Sequence, residues 1–134
     1  MVIWDDEGLI LSSIDYSETS LIIKVFTRNH GVQKGFVRGA KRNKKSNIYE
    51  AGNLVSISFK SRTEDMLGIF LVDLMKPLPL LYLNDLGRFS CIISLINLLE
   101  FSLLESEPET ELYFFSKNLI NKIFSYEEGW IEEY

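Results

Sequence analysis

Two periods divide the chain. Up to about residue 76 the apolar positions recur every second residue; beyond it they recur at close to 3.6. Over residues 20–28, Leu21, Ile23 and Val25 alternate with Ile22, Lys24, Phe26 and Arg28, which predicts a strand. Similar reasoning predicts strands over 8–14, 32–39, 54–62 and 67–76. In the fourth of these, Val55, Ile57 and Phe59 take one face and Ser56, Ser58 and Lys60 the other. Asp15-Tyr16-Ser17-Glu18 reads as a turn, and Asn29-His30-Gly31 as a short hairpin loop where Gly or Asn accepts positive φ. Thr63-Glu64-Asp65 reads as a hairpin tip. The third and fourth strands are joined by a long loop, with one helical turn in it. Five short strands with that long third connection predict a β-barrel of the OB-fold type, small and Greek-key; an SH3-like barrel satisfies the same periodicity.

Pro77 and Pro79 end the strands, since neither suits a strand or helix interior. Asn84 or Asp85 then caps a helix to about residue 104, with Leu86, Phe89, Ile93 and Ile96 on one side. Ser106-Glu107-Pro108-Glu109 reads as a capping box opening a second helix to about residue 126. Its stripe is Leu112, Phe115, Leu119 and Ile123, and Gly129 stops it. Trp130-Ile131-Glu132-Glu133-Tyr134 begins a further helix. The predicted division is a barrel over 1–79 and a helical domain over 80–134.

Composition removes several classes. With 46% hydrophobic residues in 134, the chain has enough apolar matter for a core. Cys91 is the only cysteine and His30 the only histidine, so neither an internal disulfide nor a zinc site can be built. The segment before Gly8 has no basic or apolar leader character. The most apolar window, 86–104, is interrupted by Arg88, Ser90, Ser94, Asn97, Glu100 and Ser102, too polar to span a bilayer. A cytoplasmic soluble protein without a membrane partner is expected.

Charge is what separates this chain from an ordinary globular domain. Lys24, Arg28, Lys34, Arg38, Lys41, Arg42, Lys44, Lys45, Lys60 and Arg62 supply ten of the 14 Lys+Arg, and only Glu50 lies among them. That stretch carries about +9 in a protein of net charge -5, leaving about -14 elsewhere. One basic face on an acidic molecule points to an anionic ligand, foremost a phosphate backbone. Lys24, Phe26 and Arg28 share one strand face at period two, and Lys34, Phe36 and Arg38 do the same on the next strand. The intervening loop folds them side by side. Aromatics flanked by cations on a barrel face suit single-stranded nucleic acid, each stacked base contributing about 1–3 kcal/mol. Lys41, Arg42, Lys44 and Lys45 extend the track, and Lys60 and Arg62 join from the fourth strand. Each Phe suits core or interdomain packing equally well, with the cations reaching past it.

Nothing else carries chemistry. The glycines match neither a phosphate-cradling loop nor a dinucleotide fingerprint. Asp5-Asp6-Glu7 and Glu64-Asp65 read as solvated acids, His30 as a turn residue and Cys91 as a small buried hydrophobe. The glutamates of the second half read as a solubilising face. No catalytic constellation is present, so the expectation is a non-enzyme without cofactor or metal.

Gly8-Leu9-Ile10-Leu11, Tyr16-Ser17-Glu18-Thr19-Ser20, Thr27-Arg28-Asn29-His30-Gly31 and Val37-Arg38-Gly39-Ala40-Lys41 occur in that order. With Glu50-Ala51-Gly52-Asn53-Leu54-Val55 and Leu67-Gly68-Ile69-Phe70, they resemble the RecO family of bacterial recombination mediators. The segment 95–109 resembles the start of that family's helical domain. The resemblance implies an OB fold, binding of ssDNA and dsDNA, and strand annealing. It also implies loading of the RecA recombinase onto DNA coated by single-strand DNA-binding protein, in partnership with RecR. DNA contact would fall on the matching basic positions Lys24, Arg28, Lys34, Arg38, Lys41, Arg42, Lys44 and Lys45. Family members are longer, so the helical domain is expected to be truncated here, and a zinc-binding cysteine cluster, where members carry one, comes later than residue 134. Two other readings of the residues stay open. One is a protein-interaction module binding an acidic partner peptide; the other is an RNA-binding OB domain.

Overall fold

The computed structural model describes residues 1–42, 46–63, 66–76 and 86–124. Five strands, β1 (Val2–Asp15), β2 (Leu21–Thr27), β3 (Gly31–Val37), β4 (Leu54–Ser61) and β5 (Gly68–Lys76), close into a barrel in the order β1-β2-β3-β5-β4. β1 pairs antiparallel with both β2 and β4, and only β3 and β5 run parallel. This is the OB-type arrangement. Two helices follow, α1 (Leu86–Ser102) and α2 (Thr110–Phe124). Among the described residues no helix is long and apolar enough to cross a membrane. The expected proline break, the cap at Asn84 or Asp85, Glu64 and Asp65 of the hairpin tip, and the stop and further helix after residue 124 lie outside the described residues.

The alternation read from sequence produces two cores rather than one. Inward residues Ile10, Ile23, Val25, Val55, Ile57, Phe59 and Phe70 fill the barrel. On its outer surface Leu9, Leu11, Phe26, Val32 and Leu54 pack against Ile92, Leu95, Ile96 and Leu99 of α1 and Tyr113, Leu119, Ile120 and Ile123 of α2. β2 is therefore apolar on both faces because each has something to cover it.

Four details depart from the sequence reading. β1 begins at Val2, not Gly8, so the acidic run lies within a strand. α1 buries Arg88, Ile92, Leu95, Ile96 and Leu99, whereas Leu86 is exposed and Phe89 and Ile93 only half-buried. In α2, Tyr113 and Ser116 are buried in place of Leu112 and Phe115. The capping box does not form. Ser106 stands in a turn at φ 61, its hydroxyl accepts from the Gln33 amide at 3.1 Å, and the Glu109 carbonyl accepts the first helical bond from Tyr113.

The connection between the helices, residues 103–109, lies across the β2–β3 hairpin. The Ser106 N–H donates to the Val32 carbonyl at 2.9 Å, and Glu105 bridges Val32 in parallel. Gly31 permits this approach. Its φ is 66°, and a Cβ there would stand 2.4 Å from the Glu107 carbonyl oxygen. No side chain fits such a position without moving backbone.

Candidate nucleic-acid interface

The strand register puts Lys24 opposite Lys34 and Ile22 opposite Phe36. The two aromatic–cation triplets thus share the outer barrel surface, as their spacing predicts. What they face differs along it. Phe26 is 0% exposed, and its ring meets Tyr113 edge-on at 5.5 Å between centroids. A ring with no free face cannot stack on a base, so Phe26 belongs to the barrel–helix core and not to an interface.

The cations beside it are drawn the same way. Lys24 Nζ stands 4.0 Å from Glu100, Lys34 Nζ 2.9 Å from Glu105, and the Arg28 guanidinium 3.4 Å from Glu7 and over the Phe114 ring at 4.8 Å. Glu100 and Glu105, read from sequence as part of a solubilising face, and Glu7 of β1 therefore neutralise part of the basic face. Lys41 is tied to Asp15 at 3.2 Å and to the Ser17 carbonyl at 2.8 Å. Arg42 ends a 3-10 turn, Ala40–Arg42, of which only the backbone is described at that residue. Lys44 and Lys45 lie outside the described residues.

The remaining site residues gather elsewhere. Phe36 pairs with Ile69 across β3–β5, and Ile69 with Lys60 across β5–β4, so the three form one rung on the outer surface. Arg38 follows Phe36 at the end of β3, and Arg62 follows Lys60 at the end of β4. Together with Met66 these line an open groove of about 520 Å³. Arg38, Lys60 and Arg62 are exposed, and none has an acidic partner among the described residues. Phe36 is half-buried and braced by Tyr16, 4.7 Å away at 64°. The sequence reading had placed Tyr16 in a turn without a role. Its signal was its position, since a turn after β1 returns beside the end of β3.

The acids at the start of β1 form the other organised cluster. Asp6, its side chain 1% exposed, accepts from the Asn29 N–H at 2.9 Å and holds His30 Nδ1 at 2.7 Å. His30 stacks on Trp4 at 3.9 Å and 7°, and Trp4 on Phe59 at 4.6 Å. Glu7 accepts from Tyr113 Oη at 2.9 Å and Lys117 Nζ at 3.0 Å. Burial pushes the Glu7 carboxyl up, but the bonds from Lys117 and Tyr113 and the charges of Lys117 and Arg28 outweigh it, and its pKa is lowered from 4.5. The same burial, with the Glu7 bond, pushes the Tyr113 hydroxyl up, so it stays a donor. This cluster clamps α2 to the barrel. Among the described residues no three His, Cys, Asp or Glu gather as metal ligands would.

The clamp predicts a pH dependence. A glutamate whose folded pKa lies below its unfolded one contributes stability that is complete above the unfolded value and lost as pH falls through the folded value. Glu7→Gln is expected to cost about 1–3 kcal/mol at pH 7. That gap should close below pH 4.5. Urea titrations of both proteins between pH 7 and pH 3 check this; a gap constant across the range would refute it.

Comparison with known proteins fits these features. The family model described as Recombination protein O N terminal matches residues 1–76, which is the barrel. The DNA repair protein RecO of Dinoroseobacter shibae is 31% identical over 134 residues, covering all of this chain and 55% of that protein. The DNA repair protein RecO of Wolbachia sp. subsp. Drosophila simulans is 28% identical over 131 residues, covering 98% of this chain and 54% of that protein. The chain spans about half the length of these RecO relatives. An uncharacterized protein of Rickettsia prowazekii is 30% identical over 113 residues, which make up 84% of this chain but 96% of that protein. The ordered motifs, the OB-type barrel and a family match over more than half the sequence agree, and the chain belongs to the RecO family of DNA repair proteins.

Proposed function

We propose that this chain is a DNA-binding module of a recombination mediator, acting without catalysis. A single strand lies along the β3–β5–β4 groove. Its bases stack on Phe36, and its phosphates meet Arg38, Lys60 and Arg62. The run Lys41, Arg42, Lys44 and Lys45 continues the path beyond β3. One observation carries this reading: three exposed cations with no acidic partner among the described residues line one groove with a half-buried aromatic ring. Lys24, Arg28 and Lys34 are already answered by glutamates. These surface pairs are weak and can be exchanged for phosphate, so we assign them to a secondary role, chiefly in contact with dsDNA.

By family, the larger activity is annealing of strands and loading of RecA onto DNA covered by single-strand DNA-binding protein, with RecR as partner. We place that activity in the cytoplasm and take residues 1–79 as the DNA-binding part, with 80–134 as the helical one.

Salt dependence tests the electrostatic core of the proposal. Neutralising about three to five phosphates on a single strand gives a slope of log K against log salt of about -2 to -3.5. Filter binding of an oligothymidylate between about 50 and 300 mM salt should return it. A slope near zero would overturn the reading, and capture of an acidic peptide in place of DNA would favour a protein-interaction module.

A further inference from the structure

The basic groove has a neighbour. Met66 and Leu67 line it, and they also line a second open depression of about 500 Å³ on their other side. They form a ridge between the two. The ridge is fixed from below: the buried Ser61 hydroxyl donates to the Thr63 carbonyl at 2.6 Å and stands 3.1 Å from the Met66 carbonyl. Both ridge side chains are exposed although apolar.

The second depression is built differently from the first. One wall is the ring stack, with Trp4 held between His30 and Phe59. Because both faces of Trp4 are occupied, it offers its edge, and His30 is the end ring of the stack. The opposite wall is polar, formed by Gln33, Lys34, Glu105 and Ser106. The Gln33 amide nitrogen donates to the His30 carbonyl at 2.8 Å and to Ser106 Oγ at 3.1 Å. Both its hydrogens are used, which leaves its carbonyl oxygen as an acceptor. Lys34 and Glu105 stand in that wall as an ion pair at 2.9 Å.

An aromatic wall facing a hydrogen-bonding wall is the chemistry that holds a nucleobase: a flat apolar ring with donors and acceptors on its edge. The volume lies within the usual range of small-ligand sites, about 300–1,000 Å³. It therefore has room for one nucleotide unit. The basic groove, by contrast, offers one half-buried ring for a base to stack on and three cations for the phosphates beside it.

We propose that this depression receives one unpaired base of the strand lying in the basic groove. The backbone crosses the Met66–Leu67 ridge, and the ridge side chains separate two consecutive bases as an apolar wedge does. The proposal rests on the groove reading and adds a place where only an unpaired base is accepted. A paired base cannot enter, because its edge and its stacking partners are taken.

The experiment reads the two depressions separately. The 134-residue chain carrying Trp130→Phe has Trp4 as its sole indole. Its NMR spectra are followed while oligothymidylate is added, with the Trp4 indole and His30 ring reporting the second depression and the Phe36 ring the first. The expected result is that all three signals shift and saturate at one oligonucleotide concentration. A blunt, fully paired DNA duplex should leave Trp4 and His30 in place. Shifts of Phe36 without Trp4 under oligothymidylate overturn the base site and leave the groove standing. Equal Trp4 shifts with the duplex overturn it as well. If neither region responds and filter binding is also negative, the groove reading has failed and takes the base site with it.

Discussion

Reversing Arg38, Lys60 and Arg62 together to glutamate is expected to lower the affinity for single-stranded DNA about a hundredfold. Each loses a phosphate partner and then repels it. At about 1 kcal/mol per position the total is about 3 kcal/mol, roughly two factors of ten. The salt slope should also flatten by about 2, because three fewer counterions are released. Fold stability should change little, since these side chains are exposed and have no acidic partner among the described residues. The informative comparison is charge-matched. Lys60→Glu with Arg62→Glu should weaken binding far more than Lys24→Glu with Lys34→Glu, although both doubles change the net charge equally. The second pair faces Glu100 and Glu105 already. Equal losses from both doubles would mean that overall charge, and not the groove, governs affinity.

The two phenylalanines of the basic strands should behave as opposites. Phe26→Ala empties a site with no exposed surface between β2 and α2, and truncation of a buried aromatic costs about 3–5 kcal/mol. A chain this small has a stability of only about 5–15 kcal/mol, so the helices should loosen well below the wild-type midpoint in urea. Phe26→Leu keeps most of the volume. It should lose far less stability and leave DNA affinity unchanged. Phe36→Ala should do the reverse: a small change in stability and a loss of about 1–3 kcal/mol in binding. Paired urea and filter-binding titrations of the three variants decide this. A drop in affinity for Phe26→Leu matching that for Phe36→Ala would restore the symmetric reading of the two rings.

That symmetry was all the sequence could offer. Period two puts Lys24 and Phe26 on one face of β2, and the hairpin signal at Gly31 sets Lys24 beside Lys34, but the register leaves Phe26 opposite Val32 and Phe36 opposite Ile22. Which part of that face the helices cover is decided by contacts between residues far apart. Phe26 meets Tyr113, and no local pattern links them. The acidic run misled for a similar reason. Asp5, Asp6 and Glu7 look solvated until Asn29, His30, Tyr113 and Lys117 are brought to two of them. With those partners supplied, Val2, Trp4 and Asp6 alternate with exposed Ile3 and Asp5 as a strand should. α1 failed on phase, not on existence. Phe89, Ile92, Ile93, Leu95, Ile96, Leu98, Leu99 and Phe101 surround it, so no single stripe stands out to say which side faces the barrel.

The groove was legible in its parts and not in its membership. Arg38, Lys60 and Arg62 were each visible as basic residues at strand ends. Their meeting depends on β5 inserting between β3 and β4, with Ile69 as the shared neighbour of Phe36 and Lys60. A reading that pairs sequential strands alone would leave the two ends apart.

Glu7 has a further consequence for how the molecule is made. It precedes Tyr113 by 106 residues and Lys117 by 110. A polypeptide leaving the ribosome amino end first completes its barrel strands long before those donors are synthesised. Until then the surface formed by Leu9, Leu11, Phe26, Val32 and Leu54 stands bare. Nascent chains paused after β5 should thus be the species that chaperones capture, and arrival of α2 should release them.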